Sequence, residues 1–214
     1  QYTGVPLAGH DTRCREITRR GQTAAMARNI EIKARLDGLD GLDGLDAIEP
    51  SVAALATDGP RLIQQDDTFF RCSEGRLKLR TFSPRSGELI FYRRPDQAGP
   101  KTSFYLRSPT TEPAALRELL TLACGAVGRV VKSRRLYRVG GTRVHLDRVD
   151  GLGDFLELEV VLADGEPTEV GTREATELMS TLGIEPERLI EGAYVDLLAS
   201  IRSPGPPSPG TPCR

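Results

Sequence analysis

The chain has 214 residues, the length of one domain with irregular ends at about 100–200 residues per domain. Lys plus Arg (29) nearly balances Asp plus Glu (30), so no global field directs the protein to nucleic acid or to an anionic membrane. Aromatic residues make up 5% of the chain with no Trp, which argues against stacking platforms for bases, and no apolar run approaches the roughly 20 residues that span a bilayer.

The first 25 residues show no sustained period and no apolar segment of the secretory kind. They are expected to form a disordered N-terminal extension upstream of Met26. Arg13, Arg15, Arg19 and Arg20 raise the alternative of a transit peptide; Asp11, Glu16 and the missing apolar face oppose it. A strand is predicted over 28–36, where charged and aliphatic residues alternate strictly. Residues 37–46 repeat Gly-Leu-Asp and are expected to be a flexible insertion, since the ligand order of an EF-hand is absent. Apolar spacing then predicts a helix over 47–56.

Strands follow at 68–73, 75–82, 88–94 and 102–107. A helix over 112–124 has Pro113 in its first turn and a stripe of Leu116, Leu119, Leu120 and Ala123. Strands are predicted again at 129–138, 141–149 and 154–162, with glycine-rich turns at Gly140-Gly141 and Gly151-Leu152-Gly153. Two helices close the domain, 172–182 between a Thr172 cap and Gly183, and 186–200 from Pro186. The Pro- and Gly-rich residues 201–214 read as a disordered tail. Cys14, Cys72, Cys124 and Cys213 include no C-x-x-C pair, so neither a disulfide framework nor a zinc site is expected, and a cytoplasmic location is.

Charge on these strands is not scattered. Successive side chains of a strand point to opposite faces. Glu31 and Lys33 therefore share one face of the first strand, against Ile30 and Ile32. Arg76, Lys78 and Arg80 oppose Leu77 and Leu79; Glu157 and Glu159 oppose Leu156 and Leu158. Lys132 pairs with Arg134 at i and i+2, Arg94 shares a face with Ile90 and Tyr92, and Arg143, His145 and Asp147 stand against Val144 and Leu146. A single strand of this kind is an ordinary solvated face. Six of them need cover for six aliphatic faces, which the predicted helices can supply. If the sheet curls with helices outside, the charged faces line an interior. Arg and Lys converging there suit a polyanion with several phosphoryl groups, and the carboxylates are hard oxygen ligands for Mg²⁺ or Mn²⁺. No P-loop sequence is present, which excludes a Walker-type NTPase.

From about Arg28 to Leu198 the chain resembles the CYTH family, the class IV adenylate cyclase and thiamine triphosphatase group, or triphosphate tunnel metalloenzymes. The resemblance rests on Asn29-Ile-Glu-Ile-Lys33, Asp67-Thr-Phe-Phe70, Gly75-Arg-Leu-Lys-Leu-Arg80, Leu89-Ile-Phe-Tyr-Arg-Arg94 and Lys132-Ser-Arg134. It continues through His145-Leu-Asp147, Gly151-Leu-Gly-Asp-Phe155, Glu157-Leu-Glu159 and Tyr194-Val-Asp-Leu197. It implies an α+β fold, an antiparallel eight-stranded β-barrel forming a triphosphate tunnel, with helices packed outside over residues 26–200. It also implies that Lys78, Arg80, Arg94, Lys132, Arg134 and Arg143 grip the triphosphate, that Glu31, Glu157, Glu159 and Asp147 hold Mg²⁺ or Mn²⁺, and that Lys33 works with Glu31 beside the nucleophile. The family signature is E-x-E-x-K; here Asn29 replaces its first Glu, which removes one negative charge from the metal site.

His145 is read as a packed, hydrogen-bonded strand residue. The expected activity is metal-dependent hydrolysis of an organic or inorganic triphosphate such as ATP, thiamine triphosphate or tripolyphosphate. Cyclisation of ATP to cyclic AMP and pyrophosphate, and binding of triphosphate without turnover, are the alternatives. The partner is a small molecule, not nucleic acid or membrane, and the protein is expected to be a monomer or homodimer.

Overall fold

The computed structural model describes residues 27–36 and 44–202. Eight strands lie in chain order: β1 (Ala27–Arg35), β2 (Asp58–Phe70), β3 (Arg76–Ser83), β4 (Ser86–Arg93), β5 (Lys101–Thr110), β6 (Ala126–Val139), β7 (Thr142–Val149) and β8 (Gly153–Leu162). They close into a barrel in the order β1-β5-β4-β3-β2-β6-β7-β8, and each neighbouring pair is antiparallel. The α+β class and the eight-stranded antiparallel barrel are as expected. Helices α1 (Gly44–Leu55), α2 (Pro113–Cys124), α3 (Thr168–Thr181) and α4 (Tyr194–Arg202) accompany it.

The alternation in the strands divides the molecule into two compartments. Ile30, Ile32 and Ala34 of β1, Val144 and Leu146 of β7, and Leu156, Leu158 and Val160 of β8 turn outward and are buried. They pack against Leu45, Ile48 and Val52 of α1 and Ala175, Leu178 and Met179 of α3. Removing this apolar surface from water is the main stabilising term, about 25 cal/mol per Å². Gly171 lets α3 lie close to the sheet: a Cβ there would stand 2.6 Å from Leu162 and 2.9 Å from Ile30. A second cluster fills one end of the barrel, where Phe69, Val130, Val149 and Phe155 meet Tyr194, Val195 and Leu198 of α4.

The structure departs from the sequence reading in five places. β2 begins at Asp58, ten residues before the predicted start, and pairs with β6 from Asp58–Arg138 to Phe70–Ala126. The part before Thr68 shows no sustained apolar alternation because its inward side chains include Gln65 and Asp67 and its outward Leu62 and Gln64 are exposed. α2 is less covered than its leucine stripe predicts: only Pro113 is buried, and Leu119 is 59% exposed. It rests on the polar outer face of β2 and β3, where Arg117 donates to Asp66 and Thr81. α3 starts at Thr168 after Pro167 instead of at a Thr172 cap, and ends as expected before Gly183, whose φ is 67°.

The helix predicted over 186–200 is broken. A single 3-10 turn, Pro186–Arg188, leads to Leu189, which bridges Ala34, while the Ile190 amide donates to the Lys33 carbonyl. Gly192, at φ 75°, turns the chain so that α4 starts at Tyr194. That break puts Tyr194 in the end of the barrel.

The predicted extension over 1–25 and the tail from 203 lie outside the described residues, as do 37–43 of the repeat. The last repeat unit, 44–46, opens α1, with Gly44 and Leu45 buried against the core rather than in a flexible insertion. Among the described residues no helix is long and apolar enough to cross a membrane.

Candidate active site

The inward faces of all eight strands enclose a cavity of about 330 Å³. β1 contributes Glu31 and Lys33, β3 Lys78 and Arg80, β6 Lys132 and Arg134, β7 Arg143 and His145, and β8 Glu157 and Glu159. Arg94, just past β4, completes the set. Every site residue expected from the sequence lines this cavity except Asp147.

Two units of the same design hold four of the cations. On β2, Asp67 is buried and accepts bonds from Lys78 Nζ at 2.8 Å, Arg80 Nε at 2.8 Å and Arg80 Nη2 at 2.8 Å. On β7, Asp147 is fully buried and accepts from Lys132 Nζ at 2.6 Å, Arg134 Nε at 2.6 Å, Arg134 Nη2 at 2.7 Å and the Tyr194 hydroxyl at 3.1 Å. In each unit one carboxylate fixes a Lys-x-Arg pair on the neighbouring strand. The adjacent cations hold both carboxyls far below the usual carboxylate range, against the effect of burial. With four donors already on its oxygens, Asp147 stands behind the cations and not in the cavity wall. The expectation that it ligates a metal is therefore corrected: it anchors Lys132 and Arg134.

Burial acts on the lysines in the opposite sense. It pushes Lys132 down to about 7, with help from Arg134, and Lys78 down to about 8, with help from Arg80. Lys33 is also lowered by burial, although Glu157 lies 3.4 Å from its Nζ. Its ammonium sits 4.0 Å from the centre of the Tyr194 ring, and that of Lys132 sits 4.9 Å from the same ring. One aromatic ring thus meets two lysines at the end of the barrel that α4 covers.

The acidic side is built from β1 and β8, in which Glu31 pairs with Glu159 and Lys33 with Glu157. Glu157 accepts from Arg134 Nη2 at 2.7 Å and lies 3.4 Å from His145 Nδ1. Glu159 accepts from Arg143 Nη1 at 3.1 Å and from the Asn29 amide, and lies 3.7 Å from His145 Nε2. His145 therefore links the two carboxylates, a role beyond packing; burial and Arg134 lower its pKa and favour the neutral ring. Glu31 is the least compensated acid. Burial and Glu157 raise its pKa, and Arg94 Nη1, 3.6 Å away, offsets this only in part.

Among the described residues no three Asp, Glu, His or Cys side chains stand together closely enough to hold a metal ion as they lie. The donor chemistry nevertheless suits one. Glu31, Glu157 and Glu159 are hard oxygen donors on adjacent strands, and Asn29 Oδ1 is a buried oxygen with no hydrogen-bond partner. Gln65 Oε1 and Arg94 Nη1, both in residues of the cavity wall, likewise lack hydrogen-bond partners. Eight basic residues (Lys33, Lys78, Arg80, Arg94, Arg107, Lys132, Arg134 and Arg143) line the cavity with five acidic ones (Glu31, Asp67, Glu88, Glu157 and Glu159), and Asp147 stands behind the wall as a sixth acid, so basic residues outnumber acidic ones and the site suits an anion.

Three groups of the site receive no role from sequence reasoning, although Asp67 and Tyr194 open two of the motifs that carry the resemblance. Asp67 lies one residue before the predicted strand, and only its alignment opposite Arg80 exposes its function. Tyr194 falls inside a predicted helix and not at the start of one. Gln65 carries no charge to mark it. A signal for Asp67 does exist in the two matching Lys-x-Arg pairs, since each buried pair of cations requires a nearby acid.

A family model of the CYTH domain matches residues 27–194. No curated protein matches the chain. Among solved structures, a protein of Pyrococcus horikoshii is 22% identical, with a TM-score of 0.67 over 79% of this chain and 98% of its own. A Vibrio parahaemolyticus protein proposed to be an adenylate cyclase is 16% identical, with a TM-score of 0.58 over 80% of this chain and 97% of its own. A chain from the Mediator head module of Schizosaccharomyces pombe is 11% identical, with a TM-score of 0.55 over 73% of this chain and 94% of its own. At these identities the likenesses establish the fold.

Proposed function

Because this chain belongs to the CYTH domain family, we propose that it is a divalent-metal-dependent enzyme that hydrolyses a triphosphate. The observation that carries the reading is the pair of Asp-anchored Lys-x-Arg units facing the Glu31, Glu157 and Glu159 carboxylates across one cavity. Lys78, Arg80, Lys132 and Arg134, with Arg94 and Arg143, bind and orient the phosphate oxygens. Arginine offers forked contacts and lysine point-like ones. Because the Asp partners fix these side chains before substrate arrives, little reorganisation is needed when charge moves onto the phosphate oxygens.

Glu31, Glu157 and Glu159 would hold Mg²⁺ or Mn²⁺, and when bound the ion neutralises phosphate charge. In hydrolysis the oxygen of water bonds to the terminal phosphorus, the bridging P–O bond breaks, and its electron pair leaves on the diphosphate. Lys33, its pKa lowered by burial and its Nζ 3.4 Å from Glu157, stands beside the attacking water, where it positions that water or eases the loss of its proton to solvent.

Asn29 favours a second reading, a triphosphate sensor without turnover. It removes a carboxylate from the metal side and occupies Glu159 with its own amide. One assay separates these readings. The protein is incubated with ATP, thiamine triphosphate and tripolyphosphate in Mg²⁺ or Mn²⁺, and phosphate, pyrophosphate and cyclic AMP are followed. Phosphate release that falls in Glu159→Gln, with weakened binding in Arg134→Ala, supports the hydrolase. Cyclic AMP with pyrophosphate replaces it with a cyclase, and tight binding without product replaces it with the sensor.

A further inference from the structure

The short segment that leads from the 3-10 turn into α4 touches the candidate site at several points. The Ile190 amide donates to the Lys33 carbonyl at 3.0 Å, and the Gly192 carbonyl accepts from Arg94 Nη2 at 2.7 Å. Tyr194 is buried and lines the cavity, and its hydroxyl donates to Asp147 at 3.1 Å. Residues 190–194 thus reach β1, β7 and the residue that follows β4. Asp196 fixes the segment in turn: one of its oxygens accepts from the Ala193 amide at 2.9 Å and from Arg76 Nη2 of β3 at 2.8 Å.

The Tyr194 ring lies against two lysines of the site. Lys33 Nζ stands 4.0 Å from its centre and Lys132 Nζ 4.9 Å, while the Phe155 ring packs on it at 4.9 Å between centroids, tilted by 58°. Any large apolar residue would fill this space, but it would set a buried ammonium against hydrocarbon. A carboxylate would hold the ammonium and repel the phosphate oxygens of a ligand. An aromatic face attracts a cation through its quadrupole and adds no net charge to an anion site. Lys132 is also held by Asp147 at 2.6 Å, whereas Glu157 lies 3.4 Å from Lys33 Nζ, so the ring matters more to Lys33.

On the reading that this site hydrolyses a triphosphate with Lys33 beside the attacking water, we propose that Tyr194 is a positioning residue for the reaction. Its ring seats the Lys33 ammonium, and its hydroxyl, through Asp147, seats the Lys132 and Arg134 side chains. The two roles act on different kinetic constants. Lys33 works at the water, so loss of the ring lowers kcat; Lys132 and Arg134 bind phosphate oxygens, so loss of the hydroxyl raises KM.

The test compares Tyr194→Phe and Tyr194→Leu with the wild type on whichever of ATP, thiamine triphosphate and tripolyphosphate the wild type hydrolyses in Mn²⁺. Both variants lack the hydroxyl and should share a rise in KM of about two- to ten-fold, the range of one hydrogen bond. Only Tyr194→Leu should lose kcat, by about ten- to thirty-fold, the range of a desolvated cation–π contact; the ring of Tyr194→Phe should restore it to within about three-fold of the wild type. Tyr194→Met takes the place of the leucine variant if that one does not fold. The seat itself is read without turnover from the Lys33 εCH₂ signal of ¹³C-lysine-labelled protein, assigned by its disappearance in Lys33→Met. The ring current of Tyr194 should shift that signal upfield in the wild type and in Tyr194→Phe, and the shift should collapse without the ring. Equal kcat in the phenylalanine and ringless variants, or no upfield shift in the wild type, overturns the positioning role and leaves the hydrolase reading standing. If the wild type hydrolyses no triphosphate, that reading and this inference both fail.

Discussion

Triphosphate binding should take up protons at alkaline pH, by an amount the buried lysines determine. With Lys132 near 7 and Lys78 near 8 in the free protein, at pH 8 about one-tenth of Lys132 and about half of Lys78 carry a proton. A bound polyanion stabilises the charged form of both, so a complex with both lysines protonated gains about 1.4 protons at pH 8 and about 0.1 at pH 6. About 0.9 of the uptake at pH 8 belongs to Lys132. The measurement is calorimetry of tripolyphosphate binding in buffers of different ionisation heat, for the wild type and Lys132→Met. Titration of the ligand's own phosphates cancels in the difference between the two proteins. A difference below about 0.2 proton at pH 8 would refute the reasoning, because it would mean that Lys132 is already charged in the empty site. The stability of the ligand-free protein should respond in the opposite direction. The folded pKa of Lys132 lies below its unfolded value, so the unfolded chain binds more protons between about pH 7 and 10.5, and this group makes stability rise with pH through that window while anion affinity falls.

Asp147→Asn leaves Lys132 and Arg134 buried without their acid; urea denaturation should show a loss of about 3–5 kcal/mol, and an unchanged midpoint would deny Asp147 its anchoring role. Asn29→Glu restores a carboxylate beside Glu31 and Glu159, and should tighten Mn²⁺ binding, read from the spectrum of free Mn²⁺, while lowering stability without metal. Equal Mn²⁺ affinity in the two proteins would place the ion elsewhere. Gly128→Ala puts a Cβ 2.5 Å from Val195 Cγ2, so it should cost about 1–3 kcal/mol and speed amide exchange in α4, with no change in exchange if the helix can shift freely.

The strands that carry this site are readable because burial and charge share a period of two in them. Ile30, Ile32, Leu156 and Leu158 face helices, so the alternation alone assigns the intervening Glu31, Glu157 and Glu159 to one interior. β2 breaks the pattern for the same physical reason: much of its outer face is solvated and its inner face mixes Gln65 and Asp67 with Ile63 and Phe69, so no contrast marks Gln65 or Asp67. The position of α4 depends on contacts far away in the chain, the Ala34–Leu189 bridge and the Ile190 to Lys33 bond, which no local periodicity records. For Asp147 the alternation yields the correct strand face and the wrong role. Its spacing resembles that of the other acids, but the donors that saturate it come from β6 and α4.

β1 gives the barrel an unusual dependence on its own order of assembly. It is the earliest strand in the chain, yet it joins β5 through only five residue pairs and β8 through eight. The hairpins from β2 to β5 and from β6 to β8 can form from near neighbours, whereas the β1–β8 seam must wait for the last strand and bears the entropy of closing the longest loop between paired strands. A growing chain that has not yet emerged through β8 can possess both Lys-x-Arg pairs and still lack the acidic wall. Glu31 meets Glu159 only when the seam shuts, so the capacity for chemistry appears with the last pairing and would be lost with its first rupture, while most of the barrel remains folded.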